Sequence, residues 1–192
     1  MTKFLVFLSA ILLFSPQAFA KEALRVLEGT VIKVSDGDTI NVDSGGTKLK
    51  IRLYGIDAPE TAKVNKKSGW NSKPGQPYGE DSWKALDEKI YRQRVRVEVK
   101  DIDQYRRLVS VVWLGNRDIN REMVAEGNAW AYRQYLDRPH ASEYIAAEEQ
   151  ARSKRLGLWR DARPVPPWEF RKAGAAMHRG QKVVAKTPDW EL

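Results

Sequence analysis

Apolar and polar positions alternate in three consecutive stretches near the start of the chain. Thr30, Ile32 and Val34 alternate with Val31 and Lys33, and Asp36-Gly37 follows as a short-range hairpin signal. Ile40 and Val42 alternate on the return, and Gly45-Gly46 marks a second turn. Leu49, Ile51 and Leu53 then alternate with Lys48, Lys50, Arg52 and Tyr54. A period of two predicts a three-strand meander over residues 25–54, with Arg52 on its polar face. The period then lengthens. Trp83, Leu86 and Ile90 recur at i, i+3 and i+7, which predicts a helix from Tyr78 to Tyr91. Val95, Val97 and Val99 return to strict alternation, and Leu108 to Leu114 forms a β-branched strand bounded by Gly115-Asn116. A short helix over Asn120 to Glu126 stops at Gly127. The last helix runs from Pro139 to Gly157, with proline early and glycine just past the end, and Leu158 and Trp159 are expected to fold back over the core.

Two segments lack any period. Residues 61–77 carry Lys63, Lys66, Lys67 and Lys73 among glycines and prolines, and read as a long basic loop. Residues 161–192 follow Arg160 with Pro164, Pro166 and Pro167 in close succession, and read as an irregular tail held down at Trp168 and Phe170. No internal repeat of solenoid length is present. The order of elements predicts an α+β, mainly β, domain over residues 21–160: a five-stranded OB-type barrel with three flanking helices. Such barrels commonly bind oligonucleotides, although a fold by itself does not define a function.

Residues 1–20 belong to neither pattern. Lys3 precedes an apolar run from Phe4 to Phe14, Ser15-Pro16 breaks the run, and Ala18-Phe19-Ala20 is a small-x-small cleavage site. This is the layout of a secretory signal peptide, with Lys21 as the first mature residue and the periplasm or the medium as the destination. The apolar run spans about 16 Å as a helix, too short for a bilayer core of about 30 Å, so no stable membrane insertion is expected after cleavage.

Scarcity narrows the chemistry further. Among 192 residues there is no cysteine, which removes disulfides, thiolate metal sites and cysteine nucleophiles. His140 and His178 are the only histidines, too few for a multi-histidine zinc enzyme. Catalysis is left to carboxylates, arginines and a bound cation. The excess of 33 Lys+Arg over 25 Asp+Glu, a net charge of +8, suits a polyanionic partner.

Charge concentrates where strands end, at Asp36-Gly37-Asp38, at Arg52 through Glu60, and at Asp103 through Arg107. Asp38 and Asp57 are hard oxygen donors of the kind calcium prefers, unless each merely closes or caps a turn. Glu60, three residues after Asp57 and beyond the stiffening Pro59, is placed to orient or deprotonate a water, or else is a solvated surface residue. Arg52 and Arg107 offer paired planar donors that match phosphate oxygens; an exposed strand arginine is the plainer reading of Arg52.

The arrangement Asp38, Arg52, Asp57-x-x-Glu60 and Tyr105-x-Arg107 in this strand order resembles the staphylococcal nuclease (thermonuclease) family. The resemblance runs from Thr30 to Trp159 and includes Pro77-Tyr78-Gly79, Gly127 and Leu156-Gly157-Leu158-Trp159. It implies a calcium-dependent nuclease that cleaves DNA and RNA without sugar specificity and leaves 3′-phosphates. It assigns Asp38, Asp57 and the backbone carbonyl of Ala58 to calcium, Arg52 and Arg107 to the phosphate, and Glu60 to the water. It also places Lys66, Lys67, Tyr105, Tyr132 and Tyr135 against the substrate, in a monomer. Arg106 departs from the family by replacing the glycine usual before the catalytic arginine, as Ala58 departs by replacing threonine. The competing reading is a non-catalytic OB-type nucleic-acid-binding module. A degenerate copy of that kind is expected to lack some of Asp38, Arg52, Asp57, Glu60 or Arg107, and all five are present.

Overall fold

The computed structural model describes residues 23–64, 71–137 and 140–184. The expected leader over residues 1–20, and Lys66 and Lys67, lie outside the described residues. The chain opens with three antiparallel strands, β1 (Arg25–Asp36), β2 (Thr39–Ser44) and β3 (Thr47–Leu53), and then a short β4 (Ile56–Asp57). Within the basic segment β5 (Lys63–Val64) pairs antiparallel with β6 (Asn71–Lys73), before helix α1 (Gly79–Ile90). Strands β7 (Arg94–Ile102), β8 (Leu108–Leu114) and β9 (Arg117–Asp118) lead into α2 (Ile119–Ala125). Then come β10 (Trp130–Ala131), a 3-10 turn at Arg133–Tyr135, α3 (His140–Ser153), a second 3-10 turn at Gly157–Arg160, and α4 (Pro167–Val184).

The principal sheet has the order β3-β2-β1-β7-β8-β9, and a parallel pairing of β3 with β8 closes five of its strands into a barrel. The interior is filled by the alternating residues of those strands: Val31, Ile40, Val42, Ile51, Leu53, Val95, Val97 and Val112 are all buried. Helix α1 adds Leu86 and Ile90, α2 adds Met123 and Val124, and α3 adds Tyr144. One stretch departs from simple alternation. The register of β1 against β2 shifts between Val31 and Lys33, so Val31 and Val34 both face inward while Ile32 is 37% exposed. An extra residue at a bulge reverses which parity faces the core, and period counting alone does not locate it.

The tail is the clearest difference from the sequence reading. Residues 167–184 form a helix, so four helices flank the barrel rather than three. The prolines mark its start: Pro167 stands at the first helical position, where the missing N–H leaves no hydrogen bond unmade. Trp168 seats α4 on the barrel, its ring edge-on to Trp130 at 5.6 Å in a second cluster with Trp159 and Leu158. No helix among the described residues is long and apolar enough to cross a membrane.

Asn120 staples the closure. Its amide donates to the carbonyls of Tyr54 and Ser110, both at 3.0 Å, and its Oδ1 accepts the Val112 N–H at 3.0 Å. The residue is fully buried, so truncation removes all three bonds where water does not replace them, although the Ser110 carbonyl keeps the Tyr54 N–H. Asn120→Ala is expected to destabilise the protein by about 2–4 kcal/mol in a urea melt. A loss below about 0.5 kcal/mol would show that the seam closes without it.

Candidate active site

The site lies at the end of the barrel where β1, β3 and β8 deliver their polar residues. Asp38 follows Gly37 in the turn between β1 and β2 and is 3% exposed. A Cβ at Gly37 would meet Ser82 Oγ at 2.0 Å, so only glycine lets α1 lie this close to the turn. Asp38 Oδ2 accepts the Ala58 N–H at 3.0 Å, which ties the first acidic turn to the second. Asp57 is fully buried on β4, whose partner β10 sets Trp130 opposite it. Buried Glu148 on α3 holds β10 in turn by accepting the Ala131 N–H at 3.0 Å. Glu60 is fixed through its backbone: its carbonyl accepts the Gln76 N–H at 2.8 Å, and Gly79 packs against that carbonyl where a Cβ would approach to 2.2 Å.

Two arginines converge on these carboxylates. Arg52, paired in register with Val109 across the seam, donates from Nη1 to Asp38 Oδ1 and from Nη2 to Asp57 Oδ1, both at 2.7 Å. Burial works against the charge of this guanidinium, but Asp38 and Asp57 outweigh it and raise its pKa above the ordinary arginine value. The second arginine was not foreseen. Arg171 on α4 donates to both oxygens of Asp57, at 3.1 Å and 2.7 Å, and to Glu60 Oε1 at 2.8 Å. Its pKa is likewise raised, because hydrogen bonds and charge from Asp57 and Glu60 overcome its partial burial.

Arg107 approaches from another side, at the entry to β8. Asp103 positions it from three points, accepting the Tyr105 and Arg107 N–H groups at 2.9 Å each and Arg107 Nε at 2.6 Å. Arg106 takes a positive φ of 61°, a conformation glycine adopts without strain. The Asp103 carboxylate holds the turn there.

Arg52, Glu60, Arg107 and Arg171 line one cleft of about 790 Å³, together with Tyr132 and Tyr135. These two rings stand 4.8 Å apart, tilted by 57°. Tyr105 is not among the lining residues; it is 71% exposed, with the Arg107 guanidinium 5.6 Å above its ring. The structure thus gathers Asp38, Arg52, Asp57, Ala58 and Glu60 into one cluster, sets Arg107 across the same cleft, and leaves Tyr105 at the rim. Arg171 escaped the sequence reading; Trp168 and Asp103 were singled out there, without the contacts they make here. Pro167 followed by the helix-favouring Ala173, Ala175 and Ala176 was the available signal for α4.

Among the described residues no three His, Asp or Glu side chains stand together as a cage for a metal ion. The donors are nevertheless all oxygen, two of them buried aspartates whose charge is matched by guanidinium groups. That donor chemistry fits a hard divalent cation in the place now held by arginine charge, and does not fit zinc. Ala58 is buried beside it.

Residues 50–161 match the family described as Staphylococcal nuclease homologue, and the chain belongs to that family. It is 39% identical over 143 residues to an uncharacterized endonuclease of Haemophilus influenzae, covering 74% of this chain and 71% of that one. It is 36% identical over 154 residues to a micrococcal nuclease of Shigella flexneri, covering 76% and 80%, and 36% identical over 162 residues to Protein ParB of Escherichia coli, covering 80% and 84%. The chain is a nuclease, and nucleic acid is its substrate.

The Asp103 clamp makes a pH prediction. Partial burial raises the Asp103 pKa, but the N–H groups and guanidinium of Arg107 lower it more, to a net position below the ordinary aspartate value. A depressed folded pKa gives stability that is present above the unfolded value of about 3.9 and lost as pH falls through the folded one. The melting-temperature gap between wild type and Asp103→Asn should be widest above pH 5 and close on acidification below about pH 4. A gap independent of pH would show that the Asp103 charge does not hold the turn.

Proposed function

We propose that the protein is an exported, calcium-dependent nuclease that hydrolyses DNA and RNA without sugar specificity and leaves 3′-phosphate ends. The observation that carries this reading is the convergence of Asp38, Arg52, Asp57 and Glu60 on one end of the barrel, with Arg107 lining the same cleft. In the reaction, water oxygen bonds to phosphorus and the bond to the 5′-oxygen breaks. Glu60 accepts a proton from the water, and the departing oxygen takes one from solvent. Arg52 and Arg107 hold the phosphoryl oxygens and neutralise the charge that builds up on them, which needs neither histidine nor cysteine. Asp38 and Asp57, with the Ala58 carbonyl, would hold calcium, which supplies Lewis-acid charge toward the phosphate when bound. Tyr132 and Tyr135 offer rings for base stacking, and Lys66 and Lys67 are assigned to the strand backbone. The leader directs the chain out of the cytoplasm as a monomer beginning at Lys21; N-terminal sequencing of the exported product tests this, and a retained Met1 would overturn it.

The activity test uses residues 21–192 with plasmid DNA or total RNA, in calcium or in chelator. Cutting of both substrates in calcium, none in chelator, and 3′-phosphate termini are expected; undiminished cutting in chelator would refute the calcium reading. Arg107→Lys keeps the charge but loses the paired donors, and should lower single-turnover cleavage about 10²–10³-fold. Oligonucleotide affinity should change far less, since it is spread over many basic residues. Glu60→Gln should abolish cutting with the fold intact. Wild-type rates in both variants would move the chemistry elsewhere.

A further inference from the structure

Helix α4 covers the two features that the proposed reaction needs most. Arg171 takes both oxygens of Asp57 and one of Glu60. Three residues earlier, Trp168 stacks on Tyr132 at 5.2 Å with the rings 5° from parallel, and so occupies one face of a ring that lines the cleft. Residues i and i+3 share one face of a helix, so a single docking of α4 makes both contacts.

We propose that α4 is an autoinhibitory strap whose Arg171 is a tethered substitute for the divalent cation: helix docking and cation binding exclude one another. The proposal rests on the cation reading given above and adds its regulation. The exclusion follows from the donor set. Asp57 has two oxygens, and in this structure Arg171 bonds both while Arg52 shares one of them. A cation that takes Asp57 must dislodge Arg171. The cation and the Arg171 guanidinium would compete for the same Asp57 oxygens, and the 0% exposure of Asp57 leaves no water to screen one from the other. Arg171 can leave readily, since its side chain is 40% exposed and α4 follows the barrel in the chain rather than lying within it. Its departure also frees Glu60 Oε1 from the guanidinium hydrogen bond.

Linkage makes the effect reciprocal: whatever factor the strap takes from cation affinity, the cation takes from strap docking. Calcium titrated calorimetrically into the full mature chain, without nucleic acid, measures the first half. Arg171→Gln should bind calcium about tenfold tighter than wild type, within the range usual for coupled sites. Trp168→Ala, which removes the anchor and leaves Arg171 in place, should tighten binding in the same direction. Lys172→Gln deletes an equal charge one residue further along the helix and should change affinity less than twofold, which separates exclusion from a general field effect. Hydrogen exchange measures the second half. Amides of residues 168–176 should exchange faster in calcium than in chelator in wild type, and at the same fast rate in both for Arg171→Gln. Equal or weaker calcium binding by Arg171→Gln, or wild-type exchange in α4 indifferent to calcium, would overturn the strap alone. Absence of calcium binding in both wild type and Arg171→Gln would overturn the cation reading together with it.

Discussion

The three-residue parallel pairing between β3 and β8 is the constraint on which the rest of the molecule depends. Ile51, Arg52 and Leu53 face Leu108, Val109 and Ser110 there, closing an otherwise antiparallel sheet. Parallel ladders are weaker per residue and this one is short. Side chains and turns reinforce it: Asn120 spans both strands, and the Tyr54 N–H donates to the Ser110 carbonyl at 2.7 Å. The seam serves chemistry as much as stability. Arg52 lies within it and Arg107 immediately before it, so closing the barrel sets the spacing of two guanidinium groups that would otherwise come from segments 55 residues apart in sequence.

What gathers at the open end of that seam is an excess of negative charge in a place with little water. Asp57 is completely buried and Asp38 nearly so, and an unpaired charge in such surroundings is strongly unfavourable. The fold supplies arginine at every available approach. Arg52 binds two of the carboxylates from the polar face of β3, and Arg171 binds Asp57 and Glu60 from the added helix. A cluster built this way is stable only while something cationic occupies it, and nucleic-acid chemistry requires the same condition.

The strands and their order were legible because each has one face in the core, which imposes a period of two on the chain. The nearness of Asp57 to Glu60 was legible for a different reason, since the turn between them fixes their spacing locally. Asp57 and Glu60 are three residues apart and joined by a proline, so nothing distant is needed to place them relative to one another. The parity change in β1 was hidden, because a bulge depends on the partner strand as well as on its own sequence. Helix α4 was hidden by its prolines, which read as an irregular tail when taken as a cluster and as a helix start when Pro167 is taken alone. The role of Arg171 could not be read at all: an arginine that acts through contacts across 114 residues leaves no local pattern.

That separation sets an order of assembly. The bond between Arg52 and Asp57 spans five residues, and closing so short a loop requires little loss of chain freedom. The bond between Arg171 and Asp57 spans 114, for which loop closure alone amounts to roughly 4 kcal/mol of entropy. In a chain made from its N-terminus the acidic cluster is complete long before its outer arginine exists, and the barrel can form around Arg52 alone. The α4 contact is then the last long-range pairing to form and, having no strand ladder to hold it, the first to open. The molecule matures from the seam outward and loosens from the tail inward.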